Sequence, residues 1–176
     1  FLLLSLFGSY INIPIRRIKA EITEMPTRAS FFGMTYRVPI NSHPGTMVSM
    51  NVGGALIPIF LSIYLMLKWQ IFFEPILGVA IVSAISYRLA RSVRGVGIAL
   101  PLFIPPLLAA LVAILISSSD YTPAVAYISG TLGTLIGADL LHLKDISRIN
   151  APVVSIGGAG TFDGIFLTGI IAVLLA

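Results

Sequence analysis

The chain has 176 residues, of which 57% are hydrophobic and only 10% charged, with a net charge of +4 and no cysteine. So few charges cannot clothe a water-soluble domain of this size, and the composition assigns lipid as the solvent. The absence of Cys excludes disulfides, thiol nucleophiles and thiolate metal sites, and basic residues scattered beside apolar runs give a nucleic-acid surface little support.

Apolar runs predict six spans, at about 1–15, 52–67, 71–87, 97–117, 122–142 and 152–176, in one integral membrane domain of all-α, polytopic class covering 1–176. The first run, Phe1 to Ile15, is short for a span. Because the chain begins at Phe rather than Met, an upstream piece is expected to complete it. No small-residue cleavage site precedes the basic segment, so the run does not read as a signal peptide. A cytoplasmic loop of about 35 residues follows, at 16–51. It opens on a basic, amphipathic stretch, Arg16 to Glu24, suited to an anionic membrane surface. After Pro26 the β-prone run Phe31 to Pro39, broken by Asn41, His43, Pro44 and Gly45, reads as a short hairpin or lid, or as an irregular loop. His43 reads as a turn residue. In the fourth run Pro101, Pro105 and Pro106 are expected to kink or interrupt the helix.

Charge orients these elements. Arg16, Arg17, Lys19, Arg28, Arg37, Arg88, Arg91, Arg94, Lys144 and Arg148 fall on alternate connections, leaving Lys68 alone opposite them among the 11 basic residues. The positive-inside rule puts the basic loops in the cytoplasm and Ala176 outside. Trp69, Phe72, Phe73 and Tyr121 fall at the outer interface as an aromatic belt.

Two glycine-rich runs stand out: Asn51-Val52-Gly53-Gly54-Ala55 at the start of the second span, and Ser155-Ile156-Gly157-Gly158-Ala159-Gly160 at the start of the sixth. Either they let helices pack closely, or they are unwound backbone lining a cavity. No Lys follows them, so they are not phosphate loops. Of the seven acidic residues Glu74 falls near the outer interface, and only Asp139 and Asp163 lie clearly within spans. A charge at that depth costs about 2.5–3.5 kcal/mol on insertion scales, so it marks a partner or a wet cavity. His142, three residues after Asp139, shares its helix face. Continuous helices would place the two aspartates at unequal depths. If 155–160 are unwound, the last helix starts near Thr161 as N-cap, and Asp163 in its first turn approaches the level of Asp139.

Gly133 to His142, Pro152 to Ala176 and Asn51 to Pro58 together resemble an uncharacterised prokaryotic membrane-protein family, domain of unknown function 1614, which implies no activity. More locally, Asp163-Gly164-Ile165-Phe166-Leu167-Thr168-Gly169 is similar to the run after the catalytic aspartate in intramembrane aspartyl proteases of the presenilin and signal-peptide-peptidase type. Those enzymes carry Tyr-Asp and Gly-x-Gly-Asp. Here Asp139 follows Gly137-Ala138, Asp163 follows Gly160-Thr161-Phe162, and Ala99-Leu100-Pro101 precedes both aspartates rather than following them.

Three functions are therefore expected as alternatives. The first is a di-aspartyl intramembrane protease with Asp139 and Asp163 catalytic, supported by Gly157, Gly158, Gly160, Thr161, Gly164, Asn51 and His142. The others are an ion- or proton-coupled carrier built on Asp163, and a non-catalytic subunit or scaffold. Expected partners are membrane lipid and a membrane-protein substrate or partner helix. No cofactor or metal is expected, since loop and interface positions account for His43 and His142. The number of copies in the assembly is left open.

Overall fold

The computed structural model describes residues 2–19, 28–31, 34–37, 45–93, 97–117, 120–149, 151–158 and 164–176. In chain order the elements are α1 (Leu2–Gly8), β1 (Asn12–Ile18), β2 (Arg28–Phe31), β3 (Met34–Arg37) and β4 (Thr46–Asn51), a π-helical turn (Val52–Leu56) and α2 (Ile57–Trp69). Next come α3 (Phe73–Leu89), β5 (Arg91–Val93), β6 (Gly97–Ala99), α4 (Ile104–Ile116) and α5 (Thr122–Thr134). A second π-turn (Leu135–Asp139), a 3-10 helix (Leu140–Asp145), α6 (Ile146–Ile149), β7 (Val153–Ile156) and α7 (Gly164–Leu175) complete the chain.

Helix α5 is the axis of the bundle, with α2, α3, α4 and α7 all packed on it. Its sequence explains why: Ala124, Ala126, Ser129, Gly130 and Gly133 leave little side chain between the backbones. A methyl group on Gly133 would meet Val82 of α3 at 2.6 Å, and one on Gly130 would meet Thr168 of α7 at 2.9 Å.

Below the bundle lies a three-stranded sheet in the order β1-β4-β7. Strand β1 is antiparallel to β4, with a bulge between Pro14 and Arg16, and β4 is parallel to β7. The parallel register sets Val48-Ser49-Met50 against Val154-Ser155-Ile156. Both β4 and β7 run into a glycine-rich turn, and the helix that follows each packs on α5, so the two glycine-rich runs belong to neighbouring strand–turn–helix units. Val48, Val154 and Ile156 bury their side chains in one apolar cluster with Leu135, Ile146 and Ile165. A second cluster, around Val82, Ala109, Val125 and Ala172, fills the bundle itself.

The fold is thus mostly helical with small sheets, not all-α. Among the described residues two helices are long and apolar enough to cross a membrane, Val52–Trp69 and Thr122–Asp145, and they coincide with the second and fifth expected spans. The third corresponds to the 17-residue α3. The others are corrected. Within residues 1–15 a seven-residue helix gives way to strand β1. In the fourth run β6 precedes a 13-residue helix that begins at Ile104, so Pro105 and Pro106 open α4 rather than kinking it, as Pro does in a first helical turn. The sixth run splits into β7 and the 12-residue α7. At 1.5 Å per residue α4 and α7 are only about 20 and 18 Å long, short of a hydrocarbon core of about 30 Å. The stretch 16–51 is largely paired strand where described: it holds the end of β1, the hairpin β2–β3 and β4. His43 and residues 20–24 lie outside the described residues.

Candidate functional site

Asp139 closes the second π-turn. At 100° per residue an α-helix would rotate residues five apart by 140° relative to each other. The π-turn absorbs one residue, so Asp139 and Thr134, five positions earlier, face the same cavity. That cavity is about 310 Å3 and lies where the bundle meets the sheets. Thr134, Ala138 and Asp139 form one wall, Val153 to Ser155 of β7 a second, Gly97 to Ala99 of β6 with Leu100 and Leu102 a third, and Gly158, Gly164 and Ile165 the remainder.

The Asp139 carboxylate is held by the backbone: its Oδ2 accepts a hydrogen bond from the Gly157 N–H at 2.7 Å. Gly157 and Gly158 have φ of +85° and +78°, a left-handed path that side chains disfavour, so the chain turns sharply out of β7 and presents this amide to Asp139. Gly157 also sits directly on the first glycine-rich turn. A Cβ there would lie 2.7 Å from Ala55 N and Gly54 C. Residues 155–158 are strand and turn, not helix.

Thr134 is buried, and its hydroxyl has no hydrogen-bond partner in the protein. Composition and spacing mark neither this hydroxyl nor the β6 wall. The one signal in the sequence is the Val-Ser repeat ahead of both Gly-Gly-Ala runs, which extends their likeness back into paired strands.

The other expected site residues separate. Asn51 is buried and structural: its Oδ1 accepts from Gly54 N–H at 2.7 Å, and its Nδ2 donates to Ser9 O at 2.7 Å and Asn12 Oδ1 at 3.1 Å. Ser155 Oγ donates to the same Asn12 oxygen, linking β7 to β1 across β4. His142 turns towards α3, its ring 4.8 Å from that of Tyr87 and its Nδ1 3.2 Å from the Gly137 carbonyl. Gly158 and Gly164 line the cavity with Asp139. Gly160, Thr161 and Asp163 lie outside the described residues. Among the described residues no group of three or more His, Asp or Glu side chains is placed to hold a metal ion.

No curated protein and no solved structure matches the chain, and nothing in the comparisons supports the likeness to intramembrane aspartyl proteases. One family model does match, over residues 6–175 and so nearly the whole length. The chain belongs to the family described as protein of unknown function, DUF1614.

Proposed function

We propose that this protein is a polytopic membrane hydrolase of the aspartyl type, with Asp139 and Asp163 as its catalytic pair and a peptide bond as its target. One observation carries the reading: Gly158 and Gly164, which bracket the segment bearing Asp163, line the same cavity as Asp139. Two carboxyls brought together there share one proton, because like charges at contact cannot both ionise. The ionised carboxylate takes a proton from water as the water oxygen adds to the scissile carbonyl carbon, while the protonated partner gives its proton to the carbonyl oxygen. The newly protonated carboxyl then gives its proton to the amide nitrogen while the other takes one from a diol hydroxyl, so the C–N bond breaks, an acid and an amine leave, and the pair is restored. Gly157 N–H steadies Asp139 for this work.

In the same reading α3, α4 and α7 complete a polytopic bundle around the two long apolar helices, α4 and α7 entering the bilayer as partial spans. The end carrying Arg16, Arg17, Arg91 and Lys144 faces the cytoplasm of a prokaryote, and Lys68 and Ala176 face outward. The test is cleavage of a membrane-protein substrate by the purified protein in lipid vesicles. Asp139→Asn and Asp163→Asn should each abolish it without unfolding the protein. Full activity in either variant would remove the pair.

A second reading is a proton- or ion-coupled carrier, favoured by the two glycine-rich turns that meet at Gly54, Ala55 and Gly157, as discontinuous helices meet in carriers. It predicts loss of uptake in Asp163→Asn alone, with Asp139→Asn unaffected.

A further inference from the structure

A groove runs between α2 and α7 with α5 as its floor, away from the Asp139 cavity. Its wide part, about 420 Å3, begins beside Trp69, Tyr121 and Asp120. Its narrow end is a pocket of about 50 Å3, and Leu61, Tyr127 and Ile170 line both parts. The wall is mostly apolar, its polar side chains being Trp69, Asp120 and Tyr121 at the mouth, Tyr127 between the two parts, and Ser5 and Thr131 at the narrow end. A helix, about 10–12 Å across with its side chains, does not fit a slot that narrows to so small a volume. A single methylene chain does.

The mouth carries both signs of charge, Asp120 in its lining and Lys68 beside it, and of the two only Lys68 attracts a phosphate. Lys68 Nζ lies 5.7 Å from the Trp69 ring centre and 6.0 Å from that of Tyr64, which holds the ammonium beside the groove mouth. Among the described residues it is the single basic one at this end of the molecule. Trp69 and Tyr121, with ring centres 6.4 Å apart, form the amphipathic rim that head groups favour. We propose that the groove seats one acyl chain of an anionic phospholipid, with its phosphate at Lys68. The proposal needs the membrane placement but neither aspartate.

Trp69 is the chain's one tryptophan, so it reports on its own groove. The experiment titrates phosphatidylglycerol brominated at mid-chain into the detergent-solubilised protein and follows Trp69 fluorescence. Quenching should saturate at one lipid per protein and reverse on adding unbrominated lipid. Lys68→Gln should weaken binding roughly fivefold, the weight of one lysine beside an anionic lipid. Ile170→Phe, which fills the slot, should abolish saturation. Native mass spectrometry of the unsubstituted protein should show one retained lipid, which keeps the test decisive if Ile170→Phe fails to fold. Quenching that rises without saturation and is equal in Ile170→Phe would overturn the proposal. So would retention of a second copy of the chain or a peptide instead of lipid.

Discussion

Replacing Gly157 by Ala tests the junction on which the site is built. The new Cβ faces three atoms at 2.7 Å, the side-chain carbon and backbone nitrogen of Ala55 and the carbonyl carbon of Gly54, and two of these are backbone that cannot rotate away. The left-handed conformation at φ +85° adds its own penalty for a residue with a side chain. Strain of about 1–2 kcal/mol from the backbone and about 1–3 kcal/mol from overpacking give an expected loss of about 2–5 kcal/mol. Thermal unfolding in detergent, followed by circular dichroism, measures it. Gly164→Ala is the control, because nothing lies within 4 Å of a Cβ at Gly164. That variant should be neutral or slightly stabilising, since Ala is the better helix former by about 1 kcal/mol. Ala55→Gly should rescue Gly157→Ala only in part, since removing one methyl leaves both backbone clashes. A Gly157→Ala protein as stable as the Gly164→Ala control would refute the contact between the two glycine-rich turns.

Asp139→Asn keeps an oxygen that can accept the Gly157 N–H, so its stability should stay within about 1 kcal/mol of the parent while catalysis falls about 100-fold or more. Asp139→Ala strands that amide and should cost about 1–3 kcal/mol, read in the same melting experiment. Asn51→Ala removes three hydrogen bonds at the meeting point of α1, β1, β4 and the first π-turn, and should cost about 2–4 kcal/mol. Because the chain has no cysteine, single cysteines map its sidedness cleanly. A membrane-impermeant maleimide added to intact cells should label Lys68→Cys and spare Lys144→Cys, and labelling of both would reject the assigned orientation.

The second and fifth spans were legible in the sequence because each is a long, local apolar pattern. The strands were not. Pro152 to Ile156 is a short continuous apolar run, and periodicity cannot tell a buried strand from a helix over that length. Its strand identity comes from β4, more than a hundred residues earlier, which supplies the parallel partner. Residues 12–18 hid in the same way, with Pro14 arguing against strand until the bulge beside it accommodates the ring. At the site, the direction of Asp139 on its helix face was readable only if the helix were regular. The π-turn that re-aims it, and the amide from Gly157 that meets it, are tertiary facts. Helical spacing assigns His142 to the Asp139 face, whereas in the structure its ring lies beside Tyr87 and its Nδ1 near the Gly137 carbonyl.

The contact between the two glycine-rich turns makes α2 and α7 a pair of levers on a common fulcrum. Gly157 rests on Ala55, at the root of α2, and points its amide at Asp139. A swing of α2 at its far end, where Trp69 and Lys68 sit, therefore shifts the bearing on which the Gly157 amide is mounted. The amide that holds the carboxylate is thus mounted on the turn from which α2 starts, at the opposite end of that helix from Trp69 and Lys68.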